Sequence, residues 1–313
     1  MFLHSISSFG SHQKHTIHHS NLKTSFSIVP DCGGVLSDLF LPSKNGLVNI
    51  VEAPRTYEEW QADNYCQSKW LLPFPNRLKS GKYQFEGKEY KFPINDHNGQ
   101  NALHGFVADH KMQLQKVMLT PSYAQVTLEY LYDGNFTYYP FPFHLQIDYI
   151  LMENQLVIEV DVRNISTQKI PIGLGFHPYF QLTSKADELE LQLPKCKLIE
   201  VDNRMIPTGE KIPYTNFEKS TKIGNTSFDN AFKITSTTDY THKIHLINTK
   251  KEIKLTYFQD PIFPYFQIFI PPHRKSVAIE PMSCNIDAFN NGEGLTVLEK
   301  GESWKGSFGV GLS

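Results

Sequence analysis

The sequence predicts an all-β protein, one large, twisted antiparallel β-sandwich, and three features carry that expectation. Apolar and polar residues alternate with period two along much of the chain, turn-forming residues bound each run, and helical periodicity is scarce. Strands with one face on a core and the other in water require this pattern. At 313 residues, with 40% hydrophobic and 20% charged residues, the chain can bury a large core and is not disordered.

Residues 1–23 read as an N-terminal extension or edge segment, and residues 24–313 as a single sandwich domain. His12, His15, His18 and His19 crowd the first segment. On a helix His15 and His19 could share an ion, but no carboxylate or cysteine completes a ligand set, so no metal site is assigned. Thr56–Gln67 has room for a short helix, opened by Thr56 with Glu58 and Glu59 in its first turn. Glu86-Gly87 joins two strands into a hairpin, and Asp133-Gly134 closes the Thr127–Tyr132 run. Alternation then marks Leu145–Tyr149, Leu156–Val162, Leu189–Leu193 and Ile253–Tyr257 as strands, in a fold of about fifteen or more. The apolar run at Lys275–Pro281 is expected to stop at Glu280, because Pro281 has no backbone N–H to continue a ladder.

Composition narrows the function. A net charge of −2 without a Lys/Arg cluster gives no field for nucleic acid. No run approaches the length of a membrane span, and the N-terminus lacks the features of a signal peptide. The four cysteines, Cys32, Cys66, Cys196 and Cys284, have no CxxC spacing, which suits free thiols in a reducing compartment. A cytoplasmic protein, monomer or homodimer, is expected.

Five islands place polar or titratable groups among glycines, prolines and aromatics, where backbone and ring surfaces can approach a ligand. They are Phe74-Pro75-Asn76-Arg77, Asn98–Gly105 with His104, Gly173–Phe180 with His177, Phe228–Phe232 with Asp229, and Glu280 with its sequel through Phe289. A desolvated glutamate gains basicity, and a histidine titrates near neutrality, so Glu280 and His177 form a candidate acid–base pair. Arg77 offers several donors to ligand hydroxyls and Asp229 an acceptor.

In this order the islands resemble the aldose 1-epimerase (mutarotase) family, from about Thr24 to the C-terminus. The resemblance rests on Asn-Arg before a hairpin, Leu-His-Gly, His-x-Tyr-Phe, Asp-Asn and Glu-Pro. The closing Leu298-Glu299-Lys300-Gly301-Glu302-Ser303 is also similar to the family's last segment. It implies the galactose-mutarotase-like supersandwich with a sugar cleft on a concave sheet face and no cofactor. Glu280 would match the general base and His177 the general acid, while His104, Arg77, Asp229 and Asn76 would hold a monosaccharide. The chain departs from the family's main branch at Phe106, often a second glycine, and at Phe176, commonly an asparagine. The alternatives are a hexose-6-phosphate epimerase, for which Arg204 and Arg274 are the spare cations, and a non-catalytic sugar-binding protein. A glycosidase using Asp229 and Glu280 ranks last, since it leaves both histidines unexplained.

Overall fold

The computed structural model describes residues 1–236 and 241–313, and in them the sandwich takes the form of three large antiparallel sheets with small two-stranded ribbons. Phe2–Phe9, His12–His19, Ser25–Val29, Val35–Ser43 and Gly46–Asn49 form the first sheet in chain order. A nine-stranded sheet contains the amphipathic runs Ala124–Tyr132, Phe143–Leu151, Gln155–Asn164 and Ile253–Gln259. The final strand, Ser303–Leu312, lies between the last two of these. The eight-stranded sheet that bears the site includes Asp229–Ile234, Tyr265–Phe269, Val277–Met282, Gly175–Phe176 and Trp70–Leu71 as successive neighbours.

One buried cluster joins the three sheets beneath the site. Trp70 packs on Phe176 at 4.6 Å between ring centroids and on Phe308 at 6.0 Å, and its indole N–H donates to the Tyr149 hydroxyl at 3.0 Å. Tyr149 stacks on Phe26 and donates in turn to the Gly34 carbonyl, so its one polar atom is satisfied within an apolar core. This packing explains Phe176. The position before His177 faces the core, where a ring fills space that an amide would leave polar.

Local chemistry sets the element ends. Glu86 and Gly87 both take positive φ, 48° and 75°, as a two-residue hairpin turn needs, and join Lys82–Phe85 to Lys88–Lys91. The helix spans only Tyr57–Gln61, capped by Thr56 Oγ1, which accepts the Glu59 N–H. It ends early because the Asp63 carboxylate captures the Tyr65 and Gln67 N–H groups and turns the chain. The Leu189–Leu193 run keeps only Glu190–Gln192 as strand, after a short 3-10 turn at Ala186–Glu188.

Two expectations are corrected. The strand does not stop at Glu280 but runs through Pro281 to Met282. Ile279 and Ser283 donate to Pro178 and Leu174 on one side, so the Pro281 nitrogen faces that side too. There the chain between the Tyr179–Ala278 and Gly175–Met282 pairings bulges away, and no ladder bond is lost. The helical spacing of His15 and His19 is not realised either: both lie on the strand His12–His19, about 13 Å apart along it. His15 Nδ1 instead bonds His4 Nε2 at 3.1 Å. Among the described residues no group of three or more His, Cys, Asp or Glu is placed to hold a metal ion, and no helix is long and apolar enough to cross a membrane.

Candidate functional site

A cleft of about 470 Å³ opens over the eight-stranded sheet and gathers Asn76, Arg77, His104, His177, Asp229 and Glu280 on its walls. Groups far apart in sequence meet here: strands of the sheet supply Asp229 and Glu280, and a two-stranded ribbon and the connections beside strand ends supply the rest. Glu280 lies opposite Gln267 across one strand pair, and Asp229 lies opposite Phe269 across the next.

Glu280 and His177 face each other at the cleft floor, with His177 Nε2 3.3 Å from Glu280 Oε1; the histidine side chain is 8% exposed and the glutamate side chain 2%. Burial pushes the Glu280 carboxyl well above the usual carboxylate range. Negative Asp229 adds to the rise and Arg77 opposes it. Burial pushes His177 down to about 3, and the charge of Lys69 acts in the same direction. Both shifts disfavour charge, so the pair at rest holds one proton, with the carboxylic acid against a neutral imidazole. The second carboxyl oxygen, Oε2, is buried without a protein partner among the described residues, an open valence beside the cleft. The His177 ring stacks on Tyr179 at 5.0 Å, and the Tyr179 hydroxyl donates to the Tyr65 carbonyl at 2.7 Å, which fixes the imidazole plane.

His104 is set by backbone geometry that few side chains adopt. Asn76 and His104 sit at φ 60° and 64° and exchange two bonds: the His104 N–H donates to the Asn76 carbonyl, and the Asn76 N–H donates to His104 Nδ1 at 3.1 Å. An Nδ1 that accepts leaves the proton on Nε2, so the neutral ring offers a donor. Burial, His177, Arg77 and Lys69 hold its pKa well below the ordinary histidine value, which keeps that tautomer. Gly105 follows at φ 67°, where a Cβ would come within 2.1 Å of the Leu72 carbonyl oxygen. Phe106, in place of a second glycine, turns away into a cluster with Tyr132 and Phe136.

A polar chain links the remaining groups. Asn76 Oδ1 accepts from the Arg77 N–H and guanidinium, Asn76 Nδ2 donates to Gln267 Oε1 at 3.3 Å, and Gln267 Nε2 donates to Asp229 Oδ1 at 2.7 Å. Asn76 is therefore occupied in aiming Arg77, while Arg77 Nε has no protein partner among the described residues. Gln267 was not singled out from sequence. Its signal was a lone amide inside the aromatic run Tyr265-Phe266-Gln267-Ile268-Phe269, where burial demands a polar partner. Tyr65 and Phe269, ring centroids 6.3 Å apart, add an apolar wall that sequence also left unassigned.

The spare arginines are committed elsewhere. Arg204 donates to Ser80, Gln100 and Asn101 and does not line the cleft. Arg274 reaches the rim, but its guanidinium is held by Asp187 and by the Gly224 and Thr226 carbonyls.

The aldose 1-epimerase family model matches residues 13–310. The uncharacterized protein YihR of Escherichia coli K12 is 32% identical over 77% of this chain and 78% of its own length. The aldose 1-epimerase of Streptococcus thermophilus is 27% identical over 70% of this chain and 67% of its own. In fold, the chain is similar to a galactose mutarotase-like protein of Clostridium acetobutylicum, with a TM-score of 0.89 at 21% identity over 100% of this chain and 98% of that one. A sandwich of this topology, a buried carboxyl–imidazole pair at its cleft and a family match over nearly its whole length together make this chain a member of the aldose 1-epimerase family.

Proposed function

We propose that the protein interconverts the α and β anomers of a free hexose by acid–base ring opening and reclosure. The observation that carries this reading is the buried Glu280–His177 pair, 3.3 Å apart and holding one proton between two groups that burial keeps uncharged. With the sugar bound and the shared proton on His177, Glu280 accepts the proton of the anomeric hydroxyl while His177 gives its own to the ring oxygen, and the C1–O5 bond breaks. The open-chain aldehyde rotates about C1–C2. The C5 hydroxyl then attacks the other face of C1, Glu280 returns its proton to the new anomeric oxygen, and His177 recovers the other. No electrons leave the system and no cofactor takes part in the cycle.

Arg77 and the His104 Nε2–H supply donors to the ring oxygen and hydroxyls, and Asp229 accepts from a hydroxyl. His104 stays neutral, so it polarises an oxygen without surrendering a proton. The commitment of Arg204 and Arg274 to protein partners favours an unphosphorylated sugar, since a phosphate dianion needs free cations. The test is polarimetry of freshly dissolved α-D-glucose and α-D-galactose, with and without their 6-phosphates as competitors. Accelerated equilibration of the free sugars supports the reading; the spontaneous rate across the whole panel of aldoses would sink it.

A further inference from the structure

Lys69 is a buried cation for which the acid–base cycle has no use. Its side chain is 10% exposed, with Nζ 2.8 Å from Asp109 Oδ1, 3.8 Å from Asp63 Oδ2, and over the Trp60 indole. A charge taken out of water costs several kcal/mol unless it is paired, so its location calls for a reason. The main chain supplies one. The Lys69 carbonyl accepts the His177 N–H at 3.0 Å, and the Ser68 N–H donates to the His177 carbonyl at 2.9 Å. The chain then runs through Trp70–Leu71, paired to Gly175–Phe176, to Leu72, whose carbonyl takes the N–H groups of Phe106 and Val107. Asp109 ends the short turn that follows, five residues beyond His104. The Lys69 side chain therefore spans from the strand partner of His177 to the turn downstream of His104.

We propose that Lys69 is a positioning residue for anomer exchange: its ion pair with Asp109 clamps the His177 segment against the His104 segment. The proposal rests on the acid–base reading of the site. His177 is in contact with Glu280, Tyr179 and His104, and His104 with His177 and the Asn76 N–H; the charge of Lys69 acts on both histidines and that of Arg77 on His104. A proton on His104 Nδ1 would break the bond from Asn76, so the positive charge of Lys69 protects the working tautomer.

Three variants test it in the full-length chain, by polarimetric kcat, KM and pH profile on whichever aldose the wild type equilibrates. Asp109→Asn loosens the clamp but keeps the lysine charge. With Asp109 largely exposed, kcat should fall about two- to fivefold with an unmoved profile. Lys69→Met should lower kcat about tenfold or more and move the acid limb to higher pH, because the histidines then protonate more readily. Lys69→Arg should restore the wild-type limb. Histidine NMR titration of the same proteins reads the charge effect independently of turnover. A folded Lys69→Met protein with the wild-type limb and wild-type histidine titrations overturns the inference. Wild-type inactivity on every aldose overturns the acid–base reading instead, and the NMR comparison still decides whether Lys69 acts on the two rings.

Discussion

Replacing Glu280 by Gln should make the protein more stable at neutral pH and destroy its activity, a combination that few substitutions produce. Glu280 is 1% exposed, and its carboxyl holds its proton well above the usual range. An unfolded chain loses that proton near pH ~4.3, so above this value the native state binds more protons than the unfolded state and stability falls as pH rises. His177 acts in the opposite direction. Its folded value of about 3 lies below the unfolded value of ~6.5, so stability falls as pH drops through that interval. Between about pH 4.3 and 6.5 native and unfolded states each hold one proton on this pair, and the two slopes cancel. The Glu280→Gln substitution would remove only the alkaline arm. The stability difference between variant and wild type should therefore grow with rising pH above ~4.3, by about 1.4 kcal/mol per pH unit for as long as the folded carboxyl stays protonated. Urea denaturation at pH ~5 and pH ~7 measures it, and polarimetry should show a rate loss of about 10²–10⁴-fold. A variant less stable than wild type at both pH values, or one that equilibrates hexose at the wild-type rate, would refute the desolvated-base argument.

Three further outcomes follow from the same geometry. His177→Asn should lose about 10²–10⁴-fold in rate and also lose this pair's acid-side destabilisation below pH ~6.5, both readable by polarimetry and denaturation on one protein. Asp229→Asn should raise KM about tenfold by weakening a charged acceptor for a hydroxyl. Because Asp229 raises the Glu280 pKa, its removal should also move the alkaline limb of the pH–rate profile to lower pH. Trp70→Ala, at the point where the three sheets meet, should cost about 3–5 kcal/mol in urea denaturation, and a loss below about 1 kcal/mol would contradict the packing account.

The long amphipathic strands were legible because one face of each is wet: Phe143–Leu151, Gln155–Asn164 and Ile253–Gln259 print their alternation directly into the sequence. The strands that carry the site are different. Val277–Met282 is buried throughout and shows no alternation, while Trp70–Leu71 and Gly175–Phe176 are two residues long, below any period. Their pairing is set by tertiary contacts of Trp70 and Phe176, which no local pattern encodes. The Pro281 expectation failed for a related reason. A missing N–H ends a strand only when a carbonyl waits for it, and here the neighbouring chain bulges away. Individual site residues were visible as chemistry, but the left-handed backbone of Asn76 and His104, which sets the tautomer, is only weakly encoded: asparagine and histidine are enriched in that region yet adopt it in a minority of cases.

In the proposed anomer exchange, whose substrate and product differ only at C1, the resting protonation of the pair would let one site serve both directions. Ring opening moves a proton from the anomeric oxygen to Glu280 and another from His177 to the ring oxygen, so the pair gains one proton and loses one. Before opening it is an ion pair, and after opening it is the neutral pair that burial already favours. The protein therefore holds the open-chain stage in its preferred electrostatic state and meets the closed rings, α or β, in the less favoured one. The same neutral pair stands at rest and at the open-chain stage, so it prefers neither anomer, and forming the ion pair that starts each ring opening is the uphill step. Arg77, which opposes the rise of the Glu280 pKa, limits how far the neutral pair is favoured. Arg77→Met should therefore shift the pair further toward its neutral form and slow the ring-opening step more than it weakens binding, seen as a fall in kcat exceeding the rise in KM. A pure KM effect would mean that Arg77 only holds the sugar.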